Sequence, residues 1–167
     1  TEPYFDKGGG DTLMCTYSSP IYREINGKRT FTGVLTMDIS LTGIDQLVKS
    51  VTIFKTGYGL LVSKKGQIIA SPRPGMTNQN LVDLAKAGRG KETQRAVRKM
   101  MAGKSGFTPM DGLEAKKFDS YLSYAPVAKT GWSFGLIFPK DELFEDMNNV
   151  MEVLSWIFGI SIFILLV

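Results

Sequence analysis

The sequence predicts an α+β protein, built of antiparallel sheets with helices on one face and ending in a transmembrane helix. Short strands come in pairs separated by turn signals, Asn26-Gly27 and Ser63-Lys64-Lys65-Gly66 among them. Amphipathic helical patterns near residues 41–51 and 79–101 interrupt the strands. From Val153 to Val167 the chain carries no charge. About 15 residues at ~1.5 Å rise reach only ~22 Å, short of the ~30 Å hydrocarbon core, so this run is expected to be the first part of a membrane helix. Length alone also leaves open a buried core helix or an interfacial segment. Trp156 suits the membrane–water boundary.

Composition narrows the chemistry. The 167 residues are 43% hydrophobic and 22% charged, enough for one domain or two small ones. A net charge of +4 is mild and its basic residues are scattered, so no nucleic-acid partner is expected. Cys15 has no partner for an internal disulfide, and in a strand it reads as a small core residue. With no His in the chain, a His general base is excluded. No catalytic residue, metal site or cofactor is expected. Asp6, Asp11, Asp38 and Asp119 could supply paired carboxylates, but no spacing brings two of them together.

In chain order, TEPYFD (1–6) reads as a strand end, and Gly8-Gly9-Gly10 as a loop. It lacks the spacing and following helix of a phosphate cradle. Leu13–Pro20 alternates as a strand, the Asn26-Gly27 turn reverses the chain, and Phe31–Ile39 returns. A helix over Leu41–Val51 follows, with Leu41, Ile44, Leu47, Val48 and Val51 on one stripe. Asp38, at the end of the strand, has two readings. Either it or Ser40 caps that helix, or its carboxylate faces a small pocket and takes an ammonium group.

A second unit starts near Thr56-Gly57. Tyr58–Val62 and Gln67–Ala70 form a hairpin, and helices are expected over Gln79–Ala87 and Glu92–Met101. The basic residues Lys91, Arg95, Arg98 and Lys99 read as a solvated helix face, with anion binding as the alternative. Three strands close the unit: Gly103–Met110, Lys117–Val127 and Trp132–Phe138. Asp141–Met151 then repeats apolar residues at spacings of three and four, and nothing breaks the chain before Val153. One continuous rod is expected there, coupling the last strand to the bilayer.

The ordered motifs EPYFD, TYSSPIY, GVLTMDISL, TGYGLLVSKKGQIIASP and YAPVAKTGWSFGLIFPKDEL, followed by an apolar helix, resemble the double Cache family of bacterial extracytoplasmic sensors. Such sensors carry two PAS-like modules in tandem. The pattern is most similar to those of membrane-bound PPM-type serine/threonine phosphatases of the sporulation stage II E kind, which place a HAMP segment after the membrane. The resemblance implies that residues 1–51 are the C-terminal part of a membrane-distal module and 52–140 a membrane-proximal one. Residues 141–152 would be a juxtamembrane helix and 153–167 a cut-off transmembrane helix.

It also implies that Asp38 occupies the position whose carboxylate contacts a ligand amine, with Tyr4 and Asp6 near the pocket rim. The function implied is small-ligand sensing, of an amino acid or organic acid, outside the bacterial inner membrane. The signal would pass through a membrane helix to a cytoplasmic output domain. The partners implied are the ligand, membrane lipid and a second copy of the chain. A histidine-kinase or chemoreceptor output, or a ligand-free tethered adaptor, are the alternatives. On this reading the chain is not itself an enzyme.

Overall fold

The computed structural model describes residues 1–88, 90–111, 119–145 and 155–157. Its first sheet contains β1 (Tyr4–Asp6), β2 (Thr12–Ile25) and β3 (Lys28–Ser40), all antiparallel, in the order β1-β2-β3. Asn26 and Gly27 close the β2–β3 turn at φ values of 54° and 74°. That left-handed pair suits the twist of a two-residue hairpin, so Ile25 stands opposite Lys28. The arms are longer than the alternation alone suggested. They continue to the turn through Tyr22 and Phe31, whose rings meet edge to face at 6.0 Å.

Residues paired in register share a face. Tyr4, Met14, Ser40, Thr16 and Asp38 lie on one side of this sheet, and Phe5, Leu13, Cys15, Ile39, Tyr17 and Met37 on the other. The chain then forms α1 (Thr42–Ser50), anchored by the buried Leu41 and Val48. Asp45 in its first turn and Lys49 in its last pair at 2.6 Å, each matching the sign of the helix dipole. The capping role considered for Asp38 or Ser40 is not the one observed. Among the described residues no side chain caps α1: Ser40 Oγ meets the Thr42 hydroxyl at 3.0 Å and takes only a long 3.4 Å contact from the Thr42 amide, and the Asp38 carboxylate turns to its own sheet instead.

The second sheet is built from β4 (Thr52–Ile53), β5 (Gly57–Val62), β6 (Ile68–Ala70), β7 (Gly106–Asp111), β8 (Asp119–Pro126) and β9 (Ser133–Pro139). Its strands run β4-β5-β9-β8-β7, with β6 paired to β5. Strand β4 has two residues, too few to show any periodicity, and the sequence reading missed it. At its turn a Cβ on Gly57 would lie 2.6 Å from the Ile53 carbonyl oxygen and 2.7 Å from the Phe138 Cβ. Only glycine lets the backbones approach this closely.

Helices α2 (Leu81–Ala87) and α3 (Lys91–Met101) cover one face of this sheet, α3 burying Ala96, Val97 and Met100 against it. The Asn80 side chain caps α2 by accepting the Val82 amide at 2.9 Å. Leu60, Val62, Leu122 and Ile137 meet the helices in the main core. Within it the Ser133 hydroxyl donates to the Met100 carbonyl at 2.9 Å. The opposite face takes α1 and the base of the first sheet: Leu61, Ile69 and Ala70 pack with Leu41 and Val48, flanked by Leu13 and Cys15. The helices are therefore not all on one face. Farther out, the apolar side of the first sheet is open, with Tyr17 and Leu35 each 64% exposed.

After Pro139 comes α4 (Lys140–Leu143). Residues 155–157 are helical too, but most of the expected rod, including nearly all of 153–167, lies outside the described residues. Among the described residues no helix is long and apolar enough to cross a membrane.

The main core sets the stability of the second sheet. Leu122→Ala, at a position 2% exposed in its centre, is expected to cost about 2–5 kcal/mol in urea denaturation, through lost burial plus the cavity left behind.

Candidate functional site

Two groups of side chains stand out, one on the open face of the first sheet and one where α4 leaves the second. In the first, Asp38 on β3 faces Thr16 on β2 in register. Tyr4 on β1 leans across from the neighbouring row. The Thr16 hydroxyl donates to Asp38 Oδ1 at 2.7 Å, and the Tyr4 hydroxyl reaches the same oxygen at 3.3 Å. The two hydroxyls lie 3.1 Å apart. One carboxylate oxygen is thus held by two donors, while Oδ2 has no protein partner among the described residues. An acceptor fixed in direction and open on one side suits an ammonium or similar cation.

Of the three site residues expected from the sequence, the structure brings Tyr4 and Asp38 together. Asp6 shares their face but sits at the far end of β1, opposite Thr12, against the 6–11 turn, where Asp11 donates its amide to the Asp6 carbonyl at 2.9 Å. Thr16 was missed, because its role depends on strand register and a threonine in a strand carries no signal of its own. Toward the hairpin tip a depression of about 550 Å³ is lined by Pro20, Tyr22, Arg23, Glu24, Gly27 and Arg29, with the Arg29 guanidinium 4.1 Å above the Tyr22 ring. At ~3.4 Å per residue the strand from Thr16 to Glu24 spans ~27 Å, so one small ligand does not bridge the two places.

The second group ties α4 to the β4–β5 turn. Glu142 Oε2 accepts the backbone amides of Lys55 at 3.0 Å and Thr56 at 3.1 Å, and Oε1 accepts the Thr56 hydroxyl at 2.6 Å. Lys55 Nζ pairs with Glu145 alongside. Phe54, at φ 54°, turns the backbone so that these two amides point the same way. The Thr56 hydroxyl above all, helped by the two amides and the Lys55 charge, holds the Glu142 carboxyl below its ordinary range. Phe144 then packs edge to face on Tyr121, ring centres 6.5 Å apart.

With this geometry in place, comparison with known proteins is decisive for the family. The family model for the Cache domain matches residues 2–147. The chain belongs to the Cache domain family. Among curated relatives, the methyl-accepting chemotaxis protein McpA of Pseudomonas putida is 29% identical over 152 residues, which cover 89% of this chain and 21% of McpA. The Bacillus subtilis chemotaxis protein McpC is 22% identical over 100% of this chain and 22% of its own length.

Among solved structures, the extracellular domain of mmHK1S-Z3, described as a histidine kinase, has 30% identity and a TM-score of 0.72, with 89% of this chain and 51% of that one covered. The ligand-binding domain of the Pseudomonas aeruginosa amino-acid chemoreceptor PctB, in complex with L-Arg, has 25% identity and a TM-score of 0.59 over 92% of this chain and 54% of its own. The chain thus spans about half of these solved domains and about a fifth of the curated relatives. As a Cache sensor domain it matches the ligand-binding domain of a chemoreceptor and the extracellular domain of a histidine kinase, and it is not itself an enzyme.

The Glu142 contacts have a pH signature. The folded carboxyl titrates below the ~4.3 of a free glutamate, so the contribution is full above that value and is lost as pH falls through the lower folded one. The amide proton shifts of Lys55 and Thr56 should therefore titrate together, with a midpoint under ~4.3. In Glu142→Ala both amides should lose that titration and their hydrogen-exchange protection.

Proposed function

We propose that this chain is the extracytoplasmic sensing region of a bacterial inner-membrane receptor whose ligand, an amino acid or related amine, docks its ammonium group on Asp38. The observation that carries this is the Asp38 carboxylate, one oxygen held by Thr16 and Tyr4 and the other open on an exposed sheet face. Similarity to PctB, solved with L-Arg, supports an amino acid. Residues 1–51 are read as the C-terminal part of a membrane-distal module, 52–140 as a membrane-proximal one, and 141–152 as a juxtamembrane helix. Support comes from the three-stranded first sheet with its open apolar side, and from the chain's span of about half of the solved sensor domains.

Signalling then follows from geometry. Strand β3 leads through α1 and β4 into the turn that grips Glu142, so a shift of the first sheet reaches α4 and the segment beyond. Residues 153–167 cross the bilayer in this reading, with the exposed, helical Trp156 at the headgroup level in contact with lipid. Two copies pair through their juxtamembrane helices. The relatives favour a chemotaxis-signalling or histidine-kinase output over the phosphatase and HAMP arrangement suggested by motif order. A ligand shifts such a receptor only by binding one arrangement better than the other, and a tenfold preference is worth about 1.4 kcal/mol.

Thermal-shift screening of the complete extracytoplasmic region against amino acids, amines and organic acids tests the reading. At about a hundred times its Kd, a ligand should stabilise by roughly 2.7 kcal/mol. Asp38→Ala should abolish that response while leaving the unliganded melt unchanged. A panel with no stabilising compound would favour the ligand-free adaptor, and a response indifferent to Asp38→Ala would move the ammonium site elsewhere.

A further inference from the structure

The second sheet has a cleft of its own, distant in the fold from Asp38 and opposite in polarity. Helix α3 buries Thr93, Ala96, Val97 and Met100 against the sheet, which leaves Glu92, Arg95 and Lys99 on its flank beside the edge strand β7. Between that flank and Gly106, Thr108 and Tyr124 is a cavity of about 70 Å³.

Tyr124 floors it. The residue is 5% exposed, and its ring lies over Gly106, its register partner, where a Cβ would stand 2.4 Å from the hydroxyl oxygen. The glycine is what makes room for the phenol. Burial raises the Tyr124 pKa, which keeps the group a neutral donor. Its hydroxyl makes no hydrogen bond with any described residue and is not itself fully buried, so it stays accessible from the cleft.

The rest of the lining has capacity to spare. The Lys99 ammonium and the Thr108 hydroxyl likewise have no hydrogen-bond partner among the described residues. Arg95 commits one nitrogen, Nη1, to the two Glu92 oxygens at 3.0 and 3.3 Å. Two cations against one carboxylate leave an excess of one positive charge. Phenol, hydroxyl, ammonium and guanidinium can all act as donors, a set that matches an acceptor-only anion. Size limits which anion. A cleft of about 70 Å³ suits a one- or two-carbon acid.

We propose that this cleft is a second ligand site, taking a small monocarboxylate of formate or acetate size, with its oxygens on Tyr124, Thr108 and Lys99. Occupancy would bridge α3 to the edge strand β7. The site is independent of the ammonium site on the first sheet.

The test is titration calorimetry and thermal shift of the complete extracytoplasmic region with sodium formate and sodium acetate at constant ionic strength. Sodium chloride and phosphate serve as controls. One of the two acids should bind, and Tyr124→Phe, which removes a single hydroxyl, should weaken it about five- to tenfold. Lys99→Gln, an exposed position that leaves the core untouched, should weaken it as well and serves if Tyr124→Phe fails to fold. Asp38→Ala should leave carboxylate binding unchanged, so loss of amine binding and loss of carboxylate binding are read separately. The proposal is overturned if neither acid binds, if chloride or phosphate gives an equal response, or if wild-type affinity persists in Tyr124→Phe or in Lys99→Gln.

Discussion

Strand β5 is covered on both faces, by α2 and α3 through Leu60 and Val62 and by α1 and the first sheet through Leu61. That shared wall fixes how the two sheets meet. Because Leu13 and Cys15 must turn inward to reach it, the alternate positions of β2 and β3 turn outward, and these carry Thr16 and Asp38. A slip of one residue in the hairpin would exchange the two faces. It would put the carboxylate against Leu61 and the cysteine in solvent. The Asn26-Gly27 turn sets the register from one end, and Leu41, whose amide bonds to the Leu13 carbonyl at 2.9 Å, sets it from the other.

The two ends of the molecule are connected along a short path. From Asp38 the chain runs through α1, crosses two residues of β4 and enters the turn whose amides hold Glu142. Ile53, Gly57 and Phe138 touch in that region with no room for one more carbon. Close-packed contacts of this kind do not deform gradually. A displacement of α1 is either absorbed in its own side chains or handed on whole.

Legibility in the sequence followed the range of the interaction. The β2–β3 hairpin was visible because Asn-Gly states its own geometry, and α3 because Ala96, Val97 and Met100 repeat on a helical period. Strand β4 was not, since two residues have no period. The Asp38 cluster was half legible. A carboxylate ending an apolar strand invites attention, and Tyr4 came with the family pattern. Thr16 is identified only once β2 and β3 are set in register. Asp6 shared the motif but not the location, because β1 carries it away from Asp38 toward the 6–11 turn. The Glu142 contacts span 86 and 87 positions, and no local pattern announces them. Most of the Tyr124 ring belongs to the core. Its hydroxyl, without a hydrogen-bond partner among the described residues, comes to notice only when Gly106 is placed beneath it.

Strand β3 has 13 residues and lies at the rim of the first sheet, while β1 pairs with only three residues at the opposite end of β2. Most of this long ribbon therefore presents backbone N–H and C=O groups along both borders, next to an apolar side that includes Tyr17, Leu35 and Met37. Bare borders beside a greasy surface template strand addition by any extended chain. In concentrated preparations the ribbon is thus the part of the molecule that governs colloidal behaviour, and a charged residue on its rim or a proline in its outer arm is the natural remedy.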